Sequence, residues 1–555
     1  MKVVVVGGVA GGMSAATRLR RLDEAAEIVV FERGPEVSYA NCGLPYYVGG
    51  TIEDRSSLLL QTPASLHRRF RLDVRVRHEV VAVDREHRTV HVVDLDSGER
   101  HSESYDRLIL AAGARPRRDE PAGGVPTLSL RTVGDADALH AALGREGTRV
   151  VVVGGGYTGL EAVENLVARG ARVTLLHRGS HLLSPLDPEM AAPVASAVRA
   201  RGVDVRLGVT IDRVEAGAVV LSDGTSCEAE LIVDASGVVP ESGIAVAAGL
   251  RIGETGGIWV DESCRTSDPD IFAIGDGAEK RDLIGGGAAL VTMAGLANRH
   301  GRMVADVIAG RAESARPSLG TGIVGVFDLV VAKVGWSEAQ LRAAGRDHYV
   351  VHVHPGSHAG YYPGAEPLAM KLLADPASDR ILGAQIVGRD GVDKRIDVIA
   401  TAMHAGLPAA ELAQLELAYA PQFGSAKDAV NFLGYVAENA RTGTTSTVQW
   451  HELDAAQHAG ASLIDVRTAQ EFAAGAIAGA VNIPLDDLRD RLGEVPGGPV
   501  VVHCQAGLRG HIAARILTQH GRDVRNLDGG YLTWSAGREA TRTTPPPAAA
   551  GGADR

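Results

Sequence analysis

At 555 residues the chain is too long for one hydrophobic core and calls for roughly three or four domains. A hydrophobic fraction of 45% is ample for globular folding, and a net charge of −12 argues against a nucleic-acid or anionic-membrane partner. No stretch approaches the roughly 20 apolar residues a membrane span needs. The opening run MKVVVVGGVAGGMSAATRL is cut by glycines and leads into RRLDEAAE without a secretory cleavage site, so a cytoplasmic protein is expected. The four cysteines, Cys42, Cys227, Cys264 and Cys504, form no Cys-x-x-Cys pair. That argues against a disulfide framework or a zinc site, and no metal is expected.

In chain order, KVVVVGGVAGGMSAATRLRRL predicts a buried β-branched strand, a glycine turn and a helix. A second strand, EIVVFE, ends in Glu32, about 25 residues beyond the first glycine of the turn, which is the dinucleotide spacing. The fingerprint sets a pyrophosphate on the helix N-terminus and a carboxylate on the ribose hydroxyls. Its candidate contacts are Gly7, Val9, Ala10, Gly11, Gly12, Glu32 and Arg33, with Val9 standing where the middle glycine belongs. SYANCGLPYY then places Cys42 alone in a turn rich in glycine, proline and tyrosine. YDRLILAAGARP ends a further strand at Ala112 and Gly113.

RVVVVGGGYTGLEAVENLVARGARVTLLH repeats the unit with full spacing, through Gly154, Gly156, Tyr157, Thr158 and Gly159. Two fingerprints predict two dinucleotides. The second strand of this repeat ends in His177 and Arg178 rather than a carboxylate. A guanidinium in that place favours a 2′-phosphate, by roughly 1.5–3 kcal/mol for a charge-assisted contact. NADPH is therefore the expected cofactor of the repeat, with NADH a usable second. Farther on, TSDPDIFAIGDGAE ends a strand at Gly275 and Asp276.

With these motifs the chain resembles the two-dinucleotide flavoprotein disulfide reductases. SYANCGLPYY, HAGYYPGA (358–365) and LELAYAPQFGSAKDAVN (415–431) resemble, more narrowly, the coenzyme A-disulfide reductases, from residue 1 to about 438. The resemblance implies FAD in the first fold, with Asp276 on its ribityl chain. It implies an FAD domain of residues 1–112 and 246–320, an NAD(P)H domain of 113–245 and an α+β dimerisation domain of 321–440. The second redox cysteine of related reductases is absent, with Tyr47 near its place. Cys42 is then expected to form a mixed disulfide with coenzyme A, its thiolate stabilised by the flavin and nearby amides. Tyr361 and Tyr419 are implied as active-site phenols contributed across a homodimer interface, donors to a departing coenzyme A thiolate. Ser14, Arg18, Arg21, Ser38, Asn41 and Lys427 fall where the family holds coenzyme A, and Arg18 and Arg21 share a helix face suited to the 3′-phospho-ADP.

After the threonine-rich stretch ENARTGTTSTVQW, read as a flexible linker, ASLIDVRTAQEFAAGAIAGAVNIPLDDL and PVVVHCQAGLRGHIAARIL resemble the rhodanese domain, placed at 449–540. Cys504 ends a strand and enters a loop whose amides and following helix stabilise a thiolate or persulfide. Four residues separate Cys504 from Arg509, one fewer than in a cysteine phosphatase loop, and the smaller ring suits sulfane sulfur. Cys504 and Arg509 join Cys42 as candidate catalytic residues, and Asp465 and Arg467 are expected to tie the loop. The tail 541–555 is expected to be disordered.

The expected fold is thus α/β: two Rossmann-like domains, an α+β domain and a C-terminal rhodanese domain. The expected function is NAD(P)H-driven reduction of coenzyme A disulfide, coenzyme A persulfide or both, with small thiols, disulfides and persulfides as partners. Two alternatives stand beside it: an NADH oxidase or peroxidase cycling Cys42 through a sulfenate, and a flavin-bound, redox-sensing sulfur carrier.

Overall fold

The computed structural model describes residues 1–117 and 124–542, which form two compact units. The first comprises residues 1–175 and 211–318, the second 176–210 and 319 onward. The segment 176–210, expected within the NAD(P)H domain, therefore groups with the C-terminal half.

In the first unit a parallel five-stranded sheet runs in the order Ile271–Ala273, Arg107–Leu110, Lys2–Val6, Glu27–Glu32, Asp73–Val76. Lys2–Val6 is its central strand, with the last four residues fully buried, as a β-branched run covered on both faces requires. Val3, Val5, Ala16, Leu19, Ile28 and Val304 build the core on one face, and Val4, Val29, Phe31 and Leu108 that on the other. A second parallel sheet contains Arg149–Val153, Leu231–Asp234 and Thr127–Leu128. A two-stranded ribbon, Ala114–Pro116 with Val238–Pro240, follows directly on Gly113.

In the second unit an antiparallel five-stranded sheet has the order Gly322–Val326, Leu329–Gly335, Ile381–Gly388, Leu368–Ala374, Tyr349–Val353. The C-terminal module is a parallel sheet ordered Thr447–Val448, Val524–Leu527, Val500–His503, Ser462–Asp465, Ala480–Asn482. Two expectations change here. The helix Ala429–Arg441 and the strand Thr447–Val448 leave only residues 442–446 between them, and Thr445 is buried with its hydroxyl on His511 Nδ1 at 2.7 Å, so the threonine-rich stretch is not a flexible linker. Thr541 and Arg542, assigned to the tail, close the helix Gly530–Arg542; the rest of the expected tail lies outside the described residues.

Candidate functional site

The two glycine turns share one construction. Gly7 and Gly154 are both left-handed, at φ +105° and +109°, where a side chain is strained. A Cβ at Gly12 would stand 1.9 Å from Gly7 O, and one at Gly159 1.8 Å from Gly154 O. Each final glycine therefore lets its helix, Ala10–Leu22 or Tyr157–Ala168, start directly over the turn. Val9 and Gly156 occupy the N-cap positions at φ −111° and −87°, allowed for any residue, which explains why valine is tolerated. Gly11 serves helix packing, since a Cβ on Gly301 of the helix Ala294–Ile308 would meet Gly11 O at 2.3 Å. The Glu32 carboxylate accepts the amides of Gly8 at 2.8 Å and Gly34 at 2.7 Å, which holds it beside the first turn. Arg33 instead pairs with Glu241 at 3.2 Å. Open turns, free helix amides and a fixed carboxylate fit a dinucleotide at the first cradle.

Asp276 sits in the short turn Gly275–Gly277, with its carboxylate on Arg131 at 2.6 Å. Lys280 is buried beneath that turn, donating to Gly275 O and to Ala278 O, and burial pushes its ammonium down to about 8. Ala112 precedes Gly113, whose φ is +75°. Neither Arg131 nor Lys280 carried a sequence signal.

Cys42 lies in the turn Asn41–Gly43, leading into the short helix Leu44–Gly49. Gly49 is pressed against the second fingerprint helix, since a Cβ there would lie 2.0 Å from Asn165 Oδ1. The thiol is exposed, and no cysteine pairs with it among the described residues. Partial desolvation, then Glu161 and Asp276, push the thiol up, and Arg131 opposes them. Burial and the two carboxylates thus outweigh Arg131 at this thiol. Glu161 is itself raised to about 7 by burial and by Glu164.

Two of the coenzyme A candidates are already engaged by side chains of the first unit. Ser14 Oγ donates to Asn298 at 2.6 Å, and Arg18 pairs with Asp306 at 2.7 Å, while Arg21 is exposed. Ser38 is left-handed at φ 51°, its amide on Gly8 O at 2.8 Å, and Asn41 opens the Cys42 turn. In the second unit Lys427 is exposed. There Tyr361 and Tyr419, 58 residues apart in sequence, bring their hydroxyls to 2.6 Å. Both are exposed, and their shared hydrogen bond raises the Tyr419 phenol. His177 touches Ser184 Oγ at 3.2 Å. Burial, then His181 and Arg178, lower its imidazole, whereas Arg178 is exposed.

In the C-terminal module Cys504 is buried, and its Sγ accepts the Gly507 amide at 3.1 Å. Arg467 is bidentate on Asp465, at 2.7 Å and 3.1 Å, donates to Gly475 O and stacks on Tyr531 at 4.3 Å. Asp465 and Arg467 thus tie the loop's surroundings, as expected. Arg509 is held by Glu471 at 2.7 Å and 2.8 Å. The loop is backed by Gly529 and Gly530, both left-handed. Tyr531 N donates to Cys504 O at 2.8 Å and Leu532 N to Gln505 O at 3.0 Å.

That backing segment is anchored on the antiparallel sheet. Asp528 Oδ2 accepts His352 N at 3.0 Å and His352 Nδ1 at 2.7 Å, and His354 Nε2 meets Thr533 Oγ1 at 2.8 Å. His352 Nε2 also reaches Glu189 at 3.2 Å, on the helix Pro188–Ala200. Asp187, Glu189 and Glu338 cluster tightly enough to hold a cation. Lys371 Nζ fills that place at 2.9, 2.5 and 2.6 Å from them, so the trio is satisfied by an ammonium.

Residues 1–296 match the family described as pyridine nucleotide-disulphide oxidoreductase, 322–430 its dimerisation domain, and 449–537 the rhodanese-like domain. Among curated relatives, the coenzyme A disulfide reductase of Staphylococcus aureus (strain JH9) is 36% identical over 439 residues, covering 79% of this chain and 100% of that protein. The crystal structure of reduced Bacillus anthracis CoADR-RHD is 45% identical with a TM-score of 0.94, covering 97% of this chain and 98% of the other. An NAD-dependent persulfide reductase from A. fulgidus is 35% identical with a TM-score of 0.90, covering 96% and 100%. Among the described residues no helix is long and apolar enough to cross a membrane.

Proposed function

The chain belongs to the pyridine nucleotide-disulphide oxidoreductase family, and from that premise we propose that it reduces coenzyme A disulfide and coenzyme A persulfide through Cys42, with Cys504 handling sulfane sulfur. The family uses FAD and NAD(P)H, and the two glycine cradles fit them. The observation that carries the reading is one chain with two thiols, Cys42 on an exposed turn within electrostatic reach of Asp276 and Cys504 in a loop that donates the Gly507 amide to its sulfur, neither with a cysteine partner among the described residues. The similarity to both a coenzyme A disulfide reductase and a persulfide reductase supports both substrates.

In this reading the Cys42 thiolate attacks one sulfur of the substrate S–S bond, forming a mixed disulfide and expelling a thiolate. With coenzyme A disulfide the expelled group is coenzyme A. With the persulfide, attack on the inner sulfur expels hydrosulfide and leaves the mixed disulfide, whereas attack on the outer one expels coenzyme A and leaves a Cys42 persulfide. FAD held at the Gly7 turn and Glu32 would supply the electron pair from NAD(P)H needed to return Cys42 to the thiolate. Tyr361 and Tyr419 are proposed as the proton source for the leaving thiolate, because two hydrogen-bonded phenols can donate and relay within one contact. Their place in a match to the dimerisation domain supports a homodimer in which each subunit lends its phenols to the other. Ser14, Arg21, Ser38, Asn41 and Lys427 remain the proposed coenzyme A contacts, with Arg18 orienting through Asp306. Arg178 is proposed to take the 2′-phosphate of NADPH, the pKa of His177 beside it being lowered by burial, His181 and Arg178 itself. A thiol-dependent cycle fed by NAD(P)H supports a reducing, cytoplasmic setting.

The test is anaerobic oxidation of NADPH and of NADH with coenzyme A disulfide and coenzyme A persulfide offered separately. Turnover on both substrates is expected. Oxidation that proceeds only with oxygen would favour the sulfenate oxidase, and bleached flavin without turnover on any sulfur substrate would favour the carrier.

A further inference from the structure

The charge around the Cys504 loop bears on which sulfur donors it accepts. Two guanidiniums reach this loop. Arg467 donates to Gln505 Oε1 at 3.2 Å and is matched by Asp465 at 2.7 Å. Arg509, second residue of the helix Leu508–Gln519 that leaves the loop, is matched by Glu471. Each cation therefore has a carboxylate of its own, and the four side chains sum to zero charge.

The Glu471–Arg509 pair is not a casual surface contact. Both Nη atoms of Arg509 are engaged, at 2.8 Å and 2.7 Å. The Glu471 carboxylate is fixed independently, because Oε2 accepts the Thr468 amide at 2.9 Å and its hydroxyl at 3.1 Å. Thr468 Oγ1 in turn accepts the Glu471 amide at 3.2 Å, completing a capping box that orients the carboxylate before Arg509 arrives. Both side chains remain 34% exposed, so a donor arriving from solvent meets the pair. Arg509 first, then the Thr468 contacts, outweigh partial burial and hold Glu471 at about 2, so it stays charged throughout the working range.

A dianion such as thiosulfate needs an uncompensated cation at the lip, and a bidentate guanidinium is the group best suited to supply one. A persulfide carries at most one charge at its reacting sulfur and needs only the loop amides. We propose that Glu471 is a specificity-determining residue of the Cys504 site, occupying Arg509 so that the loop takes sulfane sulfur from thiol persulfides in preference to thiosulfate. The proposal rests on the reading that Cys504 carries sulfane sulfur. In the preferred transfer the Cys504 thiolate attacks the outer sulfur of R–S–S⁻. The S–S bond breaks, RS⁻ departs with the bonding pair, and Cys504–S–S⁻ remains. From thiosulfate the same attack expels sulfite, with charge conserved in both cases.

The test uses the full-length holoprotein and two donors, coenzyme A persulfide and thiosulfate, with Cys504 persulfide read by mass spectrometry and transfer rates by product release. Glu471→Gln keeps the side chain's shape and removes the charge. Its kcat/KM for thiosulfate should rise roughly three- to tenfold, mostly through KM, as expected for one freed, part-exposed charge. The persulfide value should change by less than about twofold. Equal changes for both donors, or a fall for thiosulfate, would overturn the proposal. The wild-type protein gives a check that does not depend on the variant folding. Its kcat/KM for thiosulfate should fall only weakly with added salt, and a steep fall would reveal an uncompensated cation and refute the idea. Cys504→Ala separates the two readings: wild-type protein that loads sulfur from neither donor, like this variant, sinks the sulfur-handling reading and this proposal with it, whereas loading without donor discrimination sinks only the role of Glu471.

Discussion

Replacing His352 by alanine should uncouple the C-terminal module from the sheet that carries it. The imidazole side chain is 2% exposed and lies between Asp528 at 2.7 Å and Glu189 at 3.2 Å. Burial alone would lower its pKa, but the hydrogen bonds to Asp528 and Glu189 outweigh burial and push it up to about 9. In His352→Ala, Asp528 keeps the residue-352 amide and Gln449 Nε2 at 3.2 Å, and Glu189 keeps Lys371, but two buried carboxylates lose their shared cation. Breaking a buried pair of this kind costs about 3–5 kcal/mol. The charge also gives a pH test with a definite sign. A folded value of about 9 against the ordinary histidine value of 6.5 corresponds to roughly 3 kcal/mol of stabilisation. It is fully present below pH 6.5 and lost as pH rises through 9. Thermal unfolding between pH 6 and 10, with hydrogen exchange followed over residues 524–542, measures both effects. Wild-type protein should lose protection there at the alkaline end, and His352→Ala should lack it throughout. A variant that melts like wild type at pH 7 with unchanged exchange would refute the buried-clasp reasoning, because no other described group replaces the cation between those carboxylates.

Further outcomes follow from the two thiols and the nucleotide cradles. Cys42→Ser should still accept hydride, seen as NADPH-driven flavin bleaching, yet lose disulfide turnover by on the order of 10³-fold or more; unchanged turnover would remove Cys42 from the chemistry. Tyr361→Phe should slow turnover by on the order of 10²-fold. Because the two hydroxyls share one hydrogen bond, the Tyr361→Phe, Tyr419→Phe double variant should be little worse than either single one, and additive losses would argue against a joint role. Arg178→Ala should lower kcat/KM for NADPH by about 10–100-fold while sparing NADH; equal losses would remove the phosphate contact. Glu161→Gln should lower the Cys42 thiol pKa, since the Glu161 charge helps to push it up. The pH dependence of Cys42 alkylation measures that shift, and an unmoved profile would show the two side chains are not coupled.

The fingerprints were legible because they are local: a left-handed Gly7 or Gly154 and a contact-limited Gly12 or Gly159 must lie at fixed distances along the chain. Val9 looked like a defect only because the fingerprint does not say that its N-cap position needs no left-handed backbone. Glu471 was legible as half of a capping box in Thr468-Ala469-Gln470-Glu471, but Arg509 lies 38 residues on, so their pairing had no local signature. The same holds for His352 and Asp528, 176 residues apart. Lys371 was the one warning, a lysine inside the apolar strand Leu368–Ala374, since a fully buried ammonium requires carboxylate partners. Threonine-rich composition misled in the other direction, because Thr445 is buried by tertiary contacts that composition does not encode.

That last correction changes how sulfur can leave Cys504. A tether of about 10–15 flexible residues would let a module range over roughly 16–23 Å. The module instead follows a five-residue connection, 442–446, and is clasped at its closing helix. A Cβ on Gly529 would stand 2.8 Å from His352 Cβ, a packing distance that leaves no room for a hinge. The residues that seal the clasp, 528–533, are the same ones whose amides back the Cys504 loop. Movement of the module as a body would therefore have to break the buried charges at Asp528 and disturb the persulfide loop together. A catalytic cycle that depended on swinging would disable its own sulfur site at each stroke. Sulfur is better carried from a fixed Cys504 by a small diffusing thiol, and the coenzyme proposed as substrate of Cys42 is such a thiol.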